Sequence, residues 1–178
     1  MKVVYFLAIA LSMLLFGCNS KPSMQKYFVD HQEKPGFMVV DIAPSILNVN
    51  KAKLSKEQTK ALASFTKMNI LAYKLDSKNK VEFDQERNKV SEILKDTTNY
   101  QPLMKFGSGK NGASISYIGD ENHIQEFLLY GCKGDNGFAV VRILGKDMNP
   151  ADAMTMLSVL KSSNVDMKQL EALKGLMK

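Results

Sequence analysis

The chain has 178 residues, with 24 Lys and Arg against 18 Asp and Glu and a formal charge of +6. It is long enough for one folded domain and basic enough to be drawn to anionic surfaces. A hydrophobic fraction of 45% excludes a disordered chain, and two cysteines exclude a disulfide-rich scaffold. The absence of tryptophan removes the usual exposed platform of a sugar-binding site.

Met1-Lys2 is followed by "VVYFLAIALSMLLF", Val3 to Phe16, in which only Ser12 is polar. A spanning helix needs about 20 apolar residues, so this run is short for one. A charged start followed by a short apolar core reads as a secretory signal. The run ends in "LFGC", Leu15 to Cys18, which resembles the lipobox of bacterial lipoproteins. That resemblance implies a diacylglycerol on the Cys18 thiol, cleavage before it and acylation of the new amino group, palmitate being a typical chain. Two or three acyl chains, at about 0.8 kcal/mol per buried methylene, hold a protein on a membrane stably.

Residues 1–17 are therefore expected to be a signal peptide, residues 18–22 a lipidated cysteine with a short tether, and residues 23–178 one domain. The membrane, through lipid on Cys18, is the first expected partner, and a protein partner in the envelope the second. Asn19 follows the cysteine where enterobacterial lipoproteins retained in the inner membrane carry aspartate. "NSKPSMQKYFV" holds no acid before Asp30, unlike surface-exported lipoproteins. The implied location is the bacterial cell envelope, on the outer membrane facing the periplasm. Removing residues 1–17 from 178 leaves 161, with a charge of +5 once Lys2 is gone. An exported chain does not meet nucleic acid, so no nucleic-acid partner is expected. Cys132 has no protein partner once Cys18 is lipidated, and its apolar setting in "FLLYGC" predicts a buried, inert thiol.

After the tether, Ser23 starts a helix whose Met24, Tyr27, Phe28 and His31 recur at helical spacing, and "KPG", Lys34 to Gly36, breaks it. "FMVVDIA", Phe37 to Ala43, reads as a strand buried on both faces. Ser55 and Gln58 form a capping-box pattern. The helix they open predicts Ala61, Leu62, Phe65 and Met68 on one face and a stripe of Lys56, Lys60 and Lys67 opposite. "ILAYKL", Ile70 to Leu75, is the next strand. Asp84 is expected to cap a second long helix, with Val90, Ile93, Leu94 and Thr97 on one face and Asn99 as its stop.

Four strand-like runs follow: "PLMKFG", "ASISYIG", "QEFLLYG" and "FAVVRIL". Short turn-like separators imply an antiparallel meander, with tight hairpin turns at Asn111-Gly112 and Asn136-Gly137. Asn149 then caps a helix with Pro150 first and Asp152 third, and with Ala153, Met154, Leu157 and Leu160 as its apolar stripe. Asp166 and Gln169 suggest one further helix, with Val165 and Leu170 as its staple. The expected fold is a single α+β domain with a mixed or antiparallel sheet of about six strands, in the order β-α-β-α-β-β-β-β-α-α, and helices packed on it. The β-α-β section could form a parallel right-handed crossover.

The order and its markers, "MQKYFVDHQEKPGFMVVDI", "YQPLMKF", "IQEFLLYG" and "VRILGKDMNPADAMTML", resemble a lipoprotein family of Bacteroidetes-type bacteria, domain of unknown function 4252. The "GKDMNPADA" piece departs from the family's glycine-lysine-isoleucine-aspartate form. The resemblance implies a lipoprotein and a fold. It implies no activity.

Chemistry-bearing residues are sparse. "GSGKNG", Gly107 to Gly112, has the letters of a dinucleotide-binding loop but precedes an alternating strand, not a helix, and its glycines fit a hairpin. His123 stands near Asp120, Glu121 and Glu126 in a polar turn, where a divalent metal would need ligands that converge. Glu121 and Glu126 form one of many carboxylate pairs. No catalytic, cofactor or metal residue is assigned, the ligand is left open, and the roles of His31, His123 and Cys132 stay open. The expected function is a non-catalytic binding or interaction module of the envelope, in its maintenance or signalling. The alternative is an envelope hydrolase or metal-dependent enzyme.

Overall fold

A computed structural model of the protein describes residues 21–46, 53–108 and 111–162. Within them the chain runs through α1 (Met24–His31), β1 (Phe37–Ile42), a 3-10 turn (Pro44–Ile46), α2 (Lys56–Ser64), β2 (Phe65–Lys74), α3 (Lys80–Leu94), β3 (Gln101–Ser108), β4 (Asn111–Asp120), β5 (His123–Lys133), β6 (Gly137–Met148) and α4 (Pro150–Ser162). Six strands form one sheet in the order β1-β2-β6-β5-β4-β3, every neighbour antiparallel. Helices cover both faces, which makes a three-layer, single-domain α+β fold. Cys18, residues 1–17 and the helix expected from Asp166 and Gln169 lie outside the described residues. No described helix is long and apolar enough to cross a membrane.

Two cores flank the sheet. Under α2 and α4, Ala61, Ala153 and Met156 meet Met68, Phe127 and Ile143. Under α1 and α3, Met24, Phe28, Phe83 and Val90 meet Leu71, Leu128, Phe138 and Val140. Local signals place the helix ends. Ser23 accepts from the Lys26 N–H, and Met24, Tyr27, Phe28 and His31 are the buried face of α1, as their spacing predicts. The Ser55–Gln58 capping box is formed in both directions. At α4 the Asn149 side chain accepts from the Ala151 N–H, and Asp152 accepts from the Asn149 N–H at 2.7 Å.

Several expectations are corrected. No parallel crossover forms: α2 passes into β2 without an intervening residue, so β2 starts beside the end of β1 and returns antiparallel to it. Phe65 and Met68 belong to β2, not to a helix. A bulge between Phe65 and Lys67 inserts one residue, so the two inward side chains stand three apart and mimic helical spacing. Lys67 therefore leaves the expected lysine stripe and pairs with Asp41 at 2.8 Å. β1 is an edge strand, half-buried along most of its length, not buried on both faces.

The long helix starts after Asn79, not at Asp84, which sits within it and pairs with Arg87 at 3.1 Å. It ends at Leu94, before Asn99, and Thr97 is exposed. On α4 Ala153 is buried as expected, with Met156 and Val159, whereas Met154 is 54% exposed; the side chains of Leu157 and Leu160 lie outside those described. The β3–β4 hairpin exists, but Asn111 and Gly112 are its first β4 residues, paired with Ser108 and Gly107. The β5–β6 turn spans Gly134 to Asn136, with Gly137 paired to Lys133 at a φ of 143°.

Candidate functional site

The side chains most able to do chemistry are placed by α1, α3 and the middle strands. Glu86 is buried between α1 and α3. It accepts from Lys34 at 2.6 Å, Lys89 at 3.0 Å and the Tyr27 hydroxyl at 2.9 Å, and His31 Nε2 lies 3.1 Å away. His31 Nδ1 stands 2.6 Å from the Tyr27 carbonyl, so both ring nitrogens face acceptors. Burial alone would raise the Glu86 carboxyl. The hydrogen bonds of Lys34, Lys89 and Tyr27 and the charge of His31 outweigh it and hold Glu86 at about 2. The same burial and the nearby Glu86 charge push the Tyr27 hydroxyl up. This cluster ties α1 to α3.

On the same side of the sheet Glu126 takes a bidentate pair of hydrogen bonds from Arg142, at 2.7 and 2.8 Å, and the guanidinium lies 5.5 Å from the centre of the Phe28 ring. A bulge between Ile124 and Glu126 turns Glu126 inward. It is buried in this pair, whereas Asp120, Glu121 and His123 are exposed around the β4–β5 turn. These four residues do not converge, and among the described residues no group of three or more His, Cys, Asp or Glu side chains is placed to hold a metal ion. Cys132 is buried, and burial together with this neighbouring thiol pushes the Tyr130 hydroxyl up. Of the "GSGKNG" stretch, Gly107 and Ser108 end β3, and Asn111 and Gly112 open the alternating strand β4.

Three of the concave regions among the described residues adjoin these groups. One, of about 790 Å³, runs between α1 and α3 and mixes Lys21, Lys26 and Lys89 with Asp30, Glu92 and Asp96. A smaller one of about 320 Å³ lies beside Lys21, Tyr100 and Arg142. The third, of about 440 Å³, is a groove between α3 and strands β3–β5. Arg87, Ser91 and Lys95 line its helix side, and Lys105, Ser114 and Ser116 its strand side, together with the apolar Leu94, Met104 and Phe106 and with no carboxylate among its described lining residues. Such walls present cations and hydroxyl donors together, the chemistry of an anion-accepting surface. Sequence reasoning missed this groove. Its signals are present in the 87, 91, 95 helical spacing and the 114, 116 strand spacing, but the pairing that brings them together is long-range.

The fold and these surfaces define a single-domain α+β protein whose central ionisable groups are joined in structural pairs, with a cationic groove beside one sheet edge. The model of the family described as Domain of unknown function (DUF4252) matches residues 27–156, and the chain belongs to that family. No curated protein and no solved structure matches the chain.

Proposed function

We propose that this is a lipid-anchored protein of the bacterial cell envelope, on the outer membrane facing the periplasm, that binds another molecule and does not transform one. The anchor is Cys18, at the end of "LFGC". The observation that carries the binding reading is the outer edge of β3. Among the described residues it has a strand neighbour on one side only, and it leaves Met104 39% and Phe106 54% exposed. Protein sheets usually blunt or cover an edge, and an open one with large apolar side chains is a docking surface.

The test has two arms in living cells. A photo-crosslinking residue at Phe106 should give a discrete adduct in the envelope fraction. The same residue at Val81, 74% exposed on α3, should not. Identical adducts from both positions, or none from Phe106, would overturn the binding reading. Cys18→Ser should abolish incorporation of labelled fatty acid, and unchanged labelling would remove the anchor.

A further inference from the structure

Directly paired residues of an antiparallel sheet share a face. Met104 and Phe106 pair with Ile115 and Ala113, and Ile115 belongs to the core under α2 and α4. Lys105 pairs with Ser114, which lines the groove beneath α3. Met104 and Phe106 border that groove as well, but their pairing with Ile115 and Ala113 directs their side chains to the other face of the sheet. The last strand of the sheet is thus two-sided, apolar on one side of its free edge and cationic on the other. An extended segment laid along that edge would offer alternate side chains to the two sides, because successive residues of a strand point oppositely.

From this the geometry points to one kind of partner: an extended protein segment in which acidic residues alternate with apolar ones, added to β3 as a seventh strand. The inference rests on the binding reading above. Main-chain hydrogen bonds to the free edge supply affinity, and the two kinds of side-chain neighbour supply register. Acidic side chains turn toward Arg87, Lys95 and Lys105, and apolar ones toward Met104 and Phe106. Lys95 is held by Glu92, three residues earlier on an exposed face, and such a surface pair stabilises by only a few tenths of a kcal/mol and exchanges readily. Arg87 is a fixed part of the groove wall: its side chain is 17% exposed, pairs with Asp84 and lies 5.9 Å from the centre of the Phe83 ring. Lys105 has no carboxylate partner among the described residues.

A bulge between Pro102 and Met104, and the missing N–H of Pro102, confine regular pairing to Met104–Ser108. The segment therefore needs only five or so residues. A second copy of this chain is disfavoured as the occupant, since two β3 edges brought together would set Lys105 near its own image.

The experiment uses the mature lipidated protein in non-ionic detergent and a fluorescent peptide of alternating glutamate and valine. Controls are the same composition in block order, an alternating lysine–valine peptide, and the alternating acidic peptide methylated on alternate backbone nitrogens. The alternating acidic peptide should bind and slow amide exchange in β3. Block order, backbone methylation and Lys105→Glu should each weaken binding tenfold or more, with the melting temperature of the variant unchanged. Equal binding of the block or methylated peptides would show charge attraction without strand addition and overturn the inference. So would preferential binding of the lysine peptide, or dimerisation through β3. No peptide binding with the Phe106 adduct intact would overturn this inference alone and leave the binding reading standing.

Discussion

At the scale of the residue, the buried charges behave as structural parts. Glu86 has four partners, and its carboxyl is held at about 2 against an ordinary 4.5. The folded protein therefore binds fewer protons here than the unfolded chain does between those values, and stability rises with pH across that window. The contribution is complete above about 4.5 and is lost as pH falls through about 2. At 1.36 kcal/mol per unit it is about 3 kcal/mol. Glu86→Gln should cost about that much at pH 7, read by urea denaturation, and should flatten the stability profile between pH 4.5 and 2. An unchanged profile would mean the Lys34, Lys89 and His31 contacts do not govern the carboxyl.

Glu126 and Arg142 give a different test. Breaking a buried ion pair leaves one uncompensated charge, whereas replacing both partners with apolar groups removes the desolvation cost on each side. Arg142→Met should destabilise by about 3 to 5 kcal/mol, and Arg142→Met with Glu126→Leu should recover most of it. Additive losses would show the pair to be worth more than its desolvation.

At the scale of the element, the hairpins carry the strictest backbone demands. Gly137 has a φ of 143°, and a Cβ there would run into the Tyr73 carbonyl. Gly131, also in the middle of the sheet, would place a Cβ in open space. Gly137→Ala should therefore lower the melting temperature by several degrees, and Gly131→Ala should leave it nearly unchanged or raise it. Equal effects would remove the steric argument.

The same strands show how much of the fold could be read in advance. Caps are local, so Ser23, Ser55 and Asn149 announce their helices in sequence. Meander strands joined by short turns are local too. Bulges are not. The extra residue after Phe65 gives an inward spacing of three, the signature of a helix, in a segment that is a strand. Edge status is equally hidden, because "FMVVDI" has the composition of a central strand and only the sheet order makes it peripheral. The groove has the same history. Arg87, Ser91 and Lys95 read as one face of a helix, but nothing local says that β3 and β4 will pass beneath them.

At the scale of the whole molecule, α3 sets the distance between two ends of the domain. Its C-terminal end meets the start of the described chain: Lys21 shares one concave region with Glu92 and Asp96, and another with Asn99 and Tyr100. The Met24 N–H donates to the Tyr100 hydroxyl at 2.8 Å, which fixes the first turn of α1 there. The opposite end of α3 meets the β5–β6 turn, where Lys80 and Asp76 share a hollow with Gly134 and Asp135. Fifteen helical residues at 1.5 Å each separate the two ends by about 22 Å. On the anchored reading, the four residues between Cys18 and Ser23 span at most about 14 Å, so the end carrying Asn99 faces the bilayer and the Asp135 end points away.

Single cysteines at Asn99 and at Asp135 in a Cys132→Ser background, each carrying a fluorophore, should report this in vesicles containing a headgroup-linked quencher. Asn99 should be strongly quenched and Asp135 weakly. Adding anionic lipid should deepen the difference at low salt and lose that effect at high salt, because the attraction of a basic chain is screened within about 10 Å at 0.1 M. Equal quenching at both sites would mean that the tether does not hold the domain end-on. That outcome would also reopen whether the β3 edge, which runs from the Asn99 end toward the β5–β6 turn, stands clear of the lipid.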